Sequence, residues 1–259
     1  MRIVVKVGTS TLAHHTGCIN LRRTKELCGV LSDLKNAGHE LILVSSGAIG
    51  MGVGKLSLPE RPKDIPTKQA AAAVGQCELM YTYDRFFLEY GQTVAQILVT
   101  GADFSHEDRR TNFINTVSRL IELRALPIIN ENDTIATEEI KVGDNDTLSA
   151  VVAAEVGAEL LVILSDVNGL YTADPSKDET ATIIREVHGV TEELYQLAGG
   201  AGSSLGTGGM KTKLRAAEIA GGAGCDTVIA CGKEPSVLYD VVEGKVGEYT
   251  RFYADGGRK

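Results

Sequence analysis

The chain has 259 residues, 43% hydrophobic and 23% charged, which is room for one large α/β domain or two small ones with a sizeable core. Its net charge of −8 argues against a nucleic-acid partner, since a phosphate backbone selects a basic face. No apolar run reaches the ~18 residues of a membrane helix, so no membrane partner is expected either.

The amino-terminal MRIVVKVGTS is too short and too strand-like for a signal peptide, and a cytoplasmic location is expected. Arg2 to Val7 is a β-branched run that reads as a strand. Residues 21–39 carry Leu27, Val30, Leu31 and Leu34 at helical spacing, with Gly38 as the stop. ELILVSS is the next strand, and the glycine-punctuated GAIGMGVG after it reads as a loop. A long helix is expected over residues 67–91, a strand over 93–100, a helix over 111–124 and a strand over 127–131. TIATEEIKVG alternates like a hairpin. A helix over 146–158, a strand over 160–166, a helix over 209–220 and a strand over 226–232 complete the pattern. Strands alternate with helices from end to end, which predicts an α/β fold with a mainly parallel sheet and helices on both faces. In such folds ligands sit beyond the carboxyl ends of strands, so the polar loops there are the places to search.

Five such places stand out. Lys6 interrupts the apolar first strand, and Gly8, Thr9 and Ser10 turn out of it. An ammonium beside open backbone N–H groups suits an anion, although a lysine snorkelling at a sheet end would look the same. Ser45, Ser46 and Gly47 follow the second strand, as an anion contact or a plain Ser/Gly turn. Asn130 to Asp133 close one strand, and Asp144 to Asp146 open a helix. A helix start accounts for one or two of these acids, but not for two acid and amide clusters at neighbouring strand ends. Carboxylates so crowded need cations between them: lysines, Mg²⁺ or a substrate ammonium. Ser165 and Asp166 lead LSDVNGLYTADP, a nucleotide-binding edge or an Asx turn. GTGGMKTK places three glycines before Lys211 and Lys213. It lacks the spacing of a P-loop or of a dinucleotide fingerprint. The five cysteines are scattered and the histidines show no metal spacing. Reduced, mostly buried thiols are expected.

Taken in this order, VVKVGTS, VSSGAIG, KQAAAAVGQ, NENDTIATEEIKVGDND, LSDVNGLYTADP and GTGGMKTK resemble the amino acid kinase family over essentially the whole chain. Within it, they resemble the members that act on glutamate. The resemblance implies a three-layer α/β/α sandwich in a single domain over residues 1–259. Its amino-terminal part would bind glutamate and its carboxy-terminal part ATP. The implied reaction is ATP-dependent phosphorylation of the γ-carboxylate of L-glutamate to L-glutamyl 5-phosphate, the first step of proline biosynthesis, with Mg²⁺ as cofactor. It assigns Lys6 and Lys213 to the phosphoryl groups, with Asp146 orienting both. Ser46, Gly47, Asn130, Asp133 and Asn145 fall at glutamate positions. Lys6, Gly8, Thr9, Ser10, Ser165, Asp166 and Thr207, Gly208, Gly209, Met210, Lys211, Thr212 and Lys213 fall at ATP positions. The metal ligands are not assigned. Many members carry a further carboxy-terminal PUA-like domain, which is expected to be absent here. Ser165 stands where Thr is usual, and either offers a hydroxyl. A homo-oligomer, and handover of the labile product to glutamyl-phosphate reductase, are also expected.

Overall fold

Eight strands share one sheet in the computed structural model, which describes residues 1–14, 16, 18–136, 145–175, 177–198 and 209–254. In chain order they are β1 (Arg2–Val7), β2 (Glu40–Ser45), β3 (Val94–Val99), β4 (Leu126–Glu131), β5 (Leu160–Ser165), β8 (Glu186–His188), β9 (Asp226–Cys231) and β10 (Tyr249–Tyr253). The sheet order is β3-β4-β2-β1-β5-β9-β10-β8. All pairs are parallel except β9 with β10. A separate two-stranded antiparallel ribbon joins β6 (Leu170–Tyr171) to β7 (Ile183–Ile184) within the segment after β5.

The helices are α1 (Thr9–Leu12), α2 (Leu21–Asn36), α3 (Ala48–Lys55), α4 (Ile65–Leu88), α5 (Gly101–Phe104), α6 (Glu107–Glu122), α7 (Asn145–Glu155), α8 (Glu192–Ala198), α9 (Met210–Gly222) and α10 (Val237–Glu243). Alternation along the central strands divides them between two layers. Val5, Val7, Leu43, Ile128 and Val162 face Leu27, Leu31, Leu79 and Phe87 of α2 and α4. Val4, Ile42, Val44, Ile129 and Ile163 face Val117, Val152, Ala216 and Ala220 of α6, α7 and α9. This is the α/β/α sandwich expected from the sequence. Among the described residues, no helix is long and apolar enough to cross a membrane.

Three expectations change. GAIGMGVG is not a loop but most of α3, because its glycines are spaced for close helix contact rather than for bending. A Cβ on Gly52 would lie 1.8 Å from the Ala71 carbonyl oxygen, and one on Gly75 would lie 1.7 Å from that of Ala48. Only paired glycines let α3 and α4 approach so closely. Gly47, with φ of +106°, makes the turn into α3. Second, the thiols are not mostly buried. Cys28 and Cys225 are, but Cys18 and Cys77 are exposed. Cys77 falls on the outer side of α4, while its neighbours Gln76 and Leu79 face inward. Burial pushes the Cys225 thiol up to about 12. Third, the turn at Thr9 and Ser10 is one short helix, closed by backbone bonds from Thr11 and Leu12 to the Gly8 carbonyl. The hairpin expected over residues 134–143 falls largely outside the described residues.

The α3–α4 crossing yields a stability prediction. Gly75→Ala should lower the unfolding free energy by about 1–3 kcal/mol or more, as overpacking against backbone does. Gly222→Ala, with nothing within 4 Å of the added carbon, should be neutral or slightly stabilising. Urea denaturation of the two variants beside the parent checks both.

Candidate active site

Lys6 sits two positions past Val4 on β1, so its side chain joins the Val4 face, toward α7 and α9. Its register partners are Val44 on β2 and Ile163 on β5, so it lies at the centre of the sheet. An ammonium with 8% exposure among such neighbours needs an acid within reach. Asp146, in the first turn of α7, supplies it: its Oδ1 lies 2.7 Å from Lys6 Nζ. Its Oδ2 lies 3.0 Å from Nζ of Lys213, which comes from α9 and is itself buried. Thr212 Oγ1 lies 2.8 Å from the same Oδ2 and 2.8 Å from the Gly209 carbonyl oxygen. One carboxylate therefore fixes two ammoniums separated by more than 200 residues of chain. Burial alone would push the Asp146 carboxyl up, but the charges and hydrogen bonds of Lys6 and Lys213 outweigh it and hold it well below the ordinary range.

A second cluster lies beside the first. Asn145 Nδ2 donates to Ser46 Oγ at 2.8 Å and to Asn130 Oδ1 at 3.2 Å, and approaches the Ser45 carbonyl oxygen at 3.4 Å. Asn130 Oδ1 also accepts from the Glu131 backbone N–H, and Asn130 Nδ2 donates to Gln76 Oε1 at 2.8 Å. The ends of β2 and β4 and the start of α7 are thus stitched by three amides and a hydroxyl. Ser45 Oγ donates to the Ser46 carbonyl at 3.1 Å, so the 2.9 Å contact with Tyr83 leaves the phenol as its donor. That anchors the Ser46–Gly47 turn to α4.

The remaining positions are less concentrated. Asp133 is half-buried in the turn after β4, three residues past Asn130. Ser165 Oγ donates to Asp166 Oδ1 at 3.0 Å at the end of β5, and the Ser165 carbonyl accepts from Gly232 N–H past β9. Gly8 packs against Lys6: a Cβ there would stand 3.4 Å from its Nζ. Thr9 and Ser10 begin α1, and Gly209 caps α9 ahead of half-buried Met210 and exposed Lys211. Thr207 and Gly208 lie outside the described residues, as does Asp144. Two roles were not read from sequence. These are the bond from Asn130 to Gln76, the last residue of KQAAAAVGQ, and the contact of the Thr212 hydroxyl with Asp146. Neither residue type signals its partner without the fold.

Two sets of polar groups, one cationic and one rich in donors, thus meet beyond the carboxyl ends of adjacent parallel strands. The model of the amino acid kinase family matches residues 1–231. The chain belongs to the amino acid kinase family. It is 54% identical to the glutamate 5-kinase of Clostridium tetani over 94% of this chain and 91% of that one. It is 51% identical to the glutamate 5-kinase of Caldanaerobacter subterraneus over 95% of this chain and 67% of that one. Among solved structures, carbamate kinase from Giardia lamblia bound to AMP-PNP superposes with a TM-score of 0.70, covering 98% of each chain at 16% identity. Isopentenyl phosphate kinase gives 0.67, covering 97% of this chain and 100% of that one, also at 16% identity. Those two likenesses establish the fold of the family and nothing finer.

The depressed Asp146 carboxyl makes a pH-dependent prediction. A carboxylate whose folded value lies below its unfolded one stabilises the fold above the ordinary value of 3.8, and that contribution fades as pH falls from there toward the folded value. Asp146→Asn should therefore cost about 3–5 kcal/mol near neutrality, as removal of one buried ion-pair partner does. The difference between parent and variant should shrink progressively below about pH 4. Chemical denaturation at pH 7, 5, 4 and 3 measures it.

Proposed function

We propose that this amino acid kinase transfers the γ-phosphoryl group of ATP to the γ-carboxylate of L-glutamate, forming L-glutamyl 5-phosphate, the first step of proline biosynthesis. The reading rests on one observation above all: Lys6 and Lys213 converge on Asp146 beside a donor-rich amide cluster, in a chain about half identical to glutamate 5-kinases. The amino-terminal part, through Ser46, Gly47, Asn130, Asp133 and Asn145, takes the amino acid. The carboxy-terminal part takes ATP, through Ser165, Asp166 and residues 207–213, together with Lys6 and the Gly8–Ser10 turn. We read the whole as a single catalytic unit.

A γ-carboxylate is already ionised at neutral pH and needs no general base. The obstacle is charge: two unit charges about 4 Å apart repel by roughly 4 kcal/mol at an effective dielectric near 20. In this reading Lys6 and Lys213 flank the phosphoryl group in flight and cancel that repulsion where it is greatest. Asp146 holds both ammoniums in place before the reactants arrive, and Thr212 ties that carboxylate to the start of α9. Asp133 takes the substrate ammonium, and Ser46 and Asn145 address its carboxylates. Among the described residues, no three His, Cys, Asp or Glu side chains gather as a metal cage, and both Asp146 oxygens already meet lysines. The described side chains thus do not fit Mg²⁺ as a resident ion. It enters in this reading with the nucleotide, on phosphate oxygens and water. A homo-oligomer in the cytoplasm, passing its water-labile product to a glutamyl-phosphate reductase, completes the proposal.

Hydroxylamine traps acyl phosphates as hydroxamates. The enzyme should form hydroxamate from glutamate and ATP, and little from aspartate or N-acetylglutamate. Efficient use of N-acetylglutamate would contradict the role given to Asp133. Lys213→Ala should lower turnover on the order of 10²-fold or more, in line with removal of one transition-state donor. Asp133→Asn should raise the KM for glutamate far more than that for ATP in steady-state assays.

A further inference from the structure

One donor at the edge of the amide cluster has no partner. Gln76 projects from α4 and is 8% exposed, and its Nε2 is buried with no hydrogen bond among the described residues. Its orientation follows from the bonds around it rather than from a choice between oxygen and nitrogen. The Glu131 backbone N–H can only donate, so the Asn130 atom it meets must be Oδ1. Asn130 then presents Nδ2 to Gln76, and the Gln76 atom facing it must be Oε1. Nε2 is left at the end of the row of amides, buried, with two hydrogens and no acceptor among the described residues. Exchanging the Gln76 atoms would set donor against donor. Exchanging those of Asn130 as well would turn its NH₂ onto the Glu131 N–H and the Asn145 NH₂.

A buried amide donor without a partner carries an uncompensated desolvation cost, which a ligand acceptor can remove. Gln76 is also held rigidly, because the adjacent Gly75 interlocks with α3 at backbone contact. We propose that Gln76 Nε2 is a substrate-binding donor for the α-carboxylate of the acceptor amino acid. This rests on the reading of the site as an amino-acid kinase centre and adds to it the group that recognises the far end of the substrate. The far end is chosen by position. Asn130 closes β4, two strands from Lys6 on β1, about 10 Å at ordinary strand spacing. The phosphorylated carboxylate belongs beside the lysines and the other carboxylate beside the amides.

Gln76→Glu is the decisive variant. Its carboxylate keeps an oxygen for Asn130 Nδ2, so the chain of amides survives, but it places a negative charge where the donor stood. The KM for glutamate at pH 8 should rise about 10- to 100-fold, the span of one hydrogen bond to a charged group, with the KM for ATP within about twofold. The glutamate defect should shrink as pH is lowered toward 6, because a carboxyl beside the substrate's carboxylate titrates high and regains a proton to donate. A purely structural defect would lower turnover and thermal stability without that pH relief. Gln76→Met, which supplies neither donor nor charge, should raise the glutamate KM with no pH relief, and it decides the matter if Gln76→Glu does not fold. An unchanged glutamate KM in whichever variant folds, or a Gln76→Glu defect equal at both pH values, overturns the proposal. Failure of the parent enzyme to make hydroxamate from glutamate would overturn the functional reading beneath it; a normal parent with an unaffected variant overturns this inference alone.

Discussion

The site depends on one carboxylate serving two ammoniums. Asp146 accepts Lys6 on one oxygen and Lys213 on the other, with all three side chains buried. Neither lysine would stay in place in such surroundings without it, since a buried ammonium needs a compensating charge within reach. The carboxylate in turn stays ionised only because both cations are present. This mutual dependence ties β1, α7 and α9 together through one buried trio of charges.

The fold makes that convergence possible. β1 occupies the middle of the sheet, between β2 and β5, which puts Lys6 near the residues that follow β2, β4 and β5. α7 and α9 cover the same face, packed through small residues such as Ala150, Ala153, Ala216 and Ala220. Small side chains bring the helix starts close enough for Asp146 and Lys213 to share the space above β1. On the opposite face, the interlocked glycines of α3 and α4 hold the Ser46–Gly47 turn and Gln76 against the end of β4. The face covered by α7 and α9 thus carries the two ammoniums, Asp146 and Asn145, and the opposite face brings Gln76 and the Ser46–Gly47 turn to the same end of the sheet.

Much of this was legible in the sequence. The strand and helix alternation predicted the sandwich because parallel strands covered on both faces have near-continuous apolar runs. Lys6 stood out because a charge inside such a run needs a reason. What could not be read were features set by tertiary contact. GAIGMGVG looks like a loop until Gly52 and Gly75 are seen against opposing carbonyls. The contact of the Thr212 hydroxyl with Asp146 shows only once α7 and α9 are brought together. Gln76 follows Val74 and Gly75 in an otherwise unmarked helix and gains meaning only through Asn130. The antiparallel direction of β10 and the β6–β7 ribbon were likewise beyond a period-based reading, since direction and pairing leave no mark on so short a run.

The most direct test of the central claim is a double-mutant cycle on turnover between Asp146→Asn and Lys213→Met. If the carboxylate acts by holding the lysine in place, the two losses overlap, and the double variant falls little below the worse single one. Losses that multiply independently would contradict the account, for they would mean that the carboxylate and the ammonium act separately on the reaction.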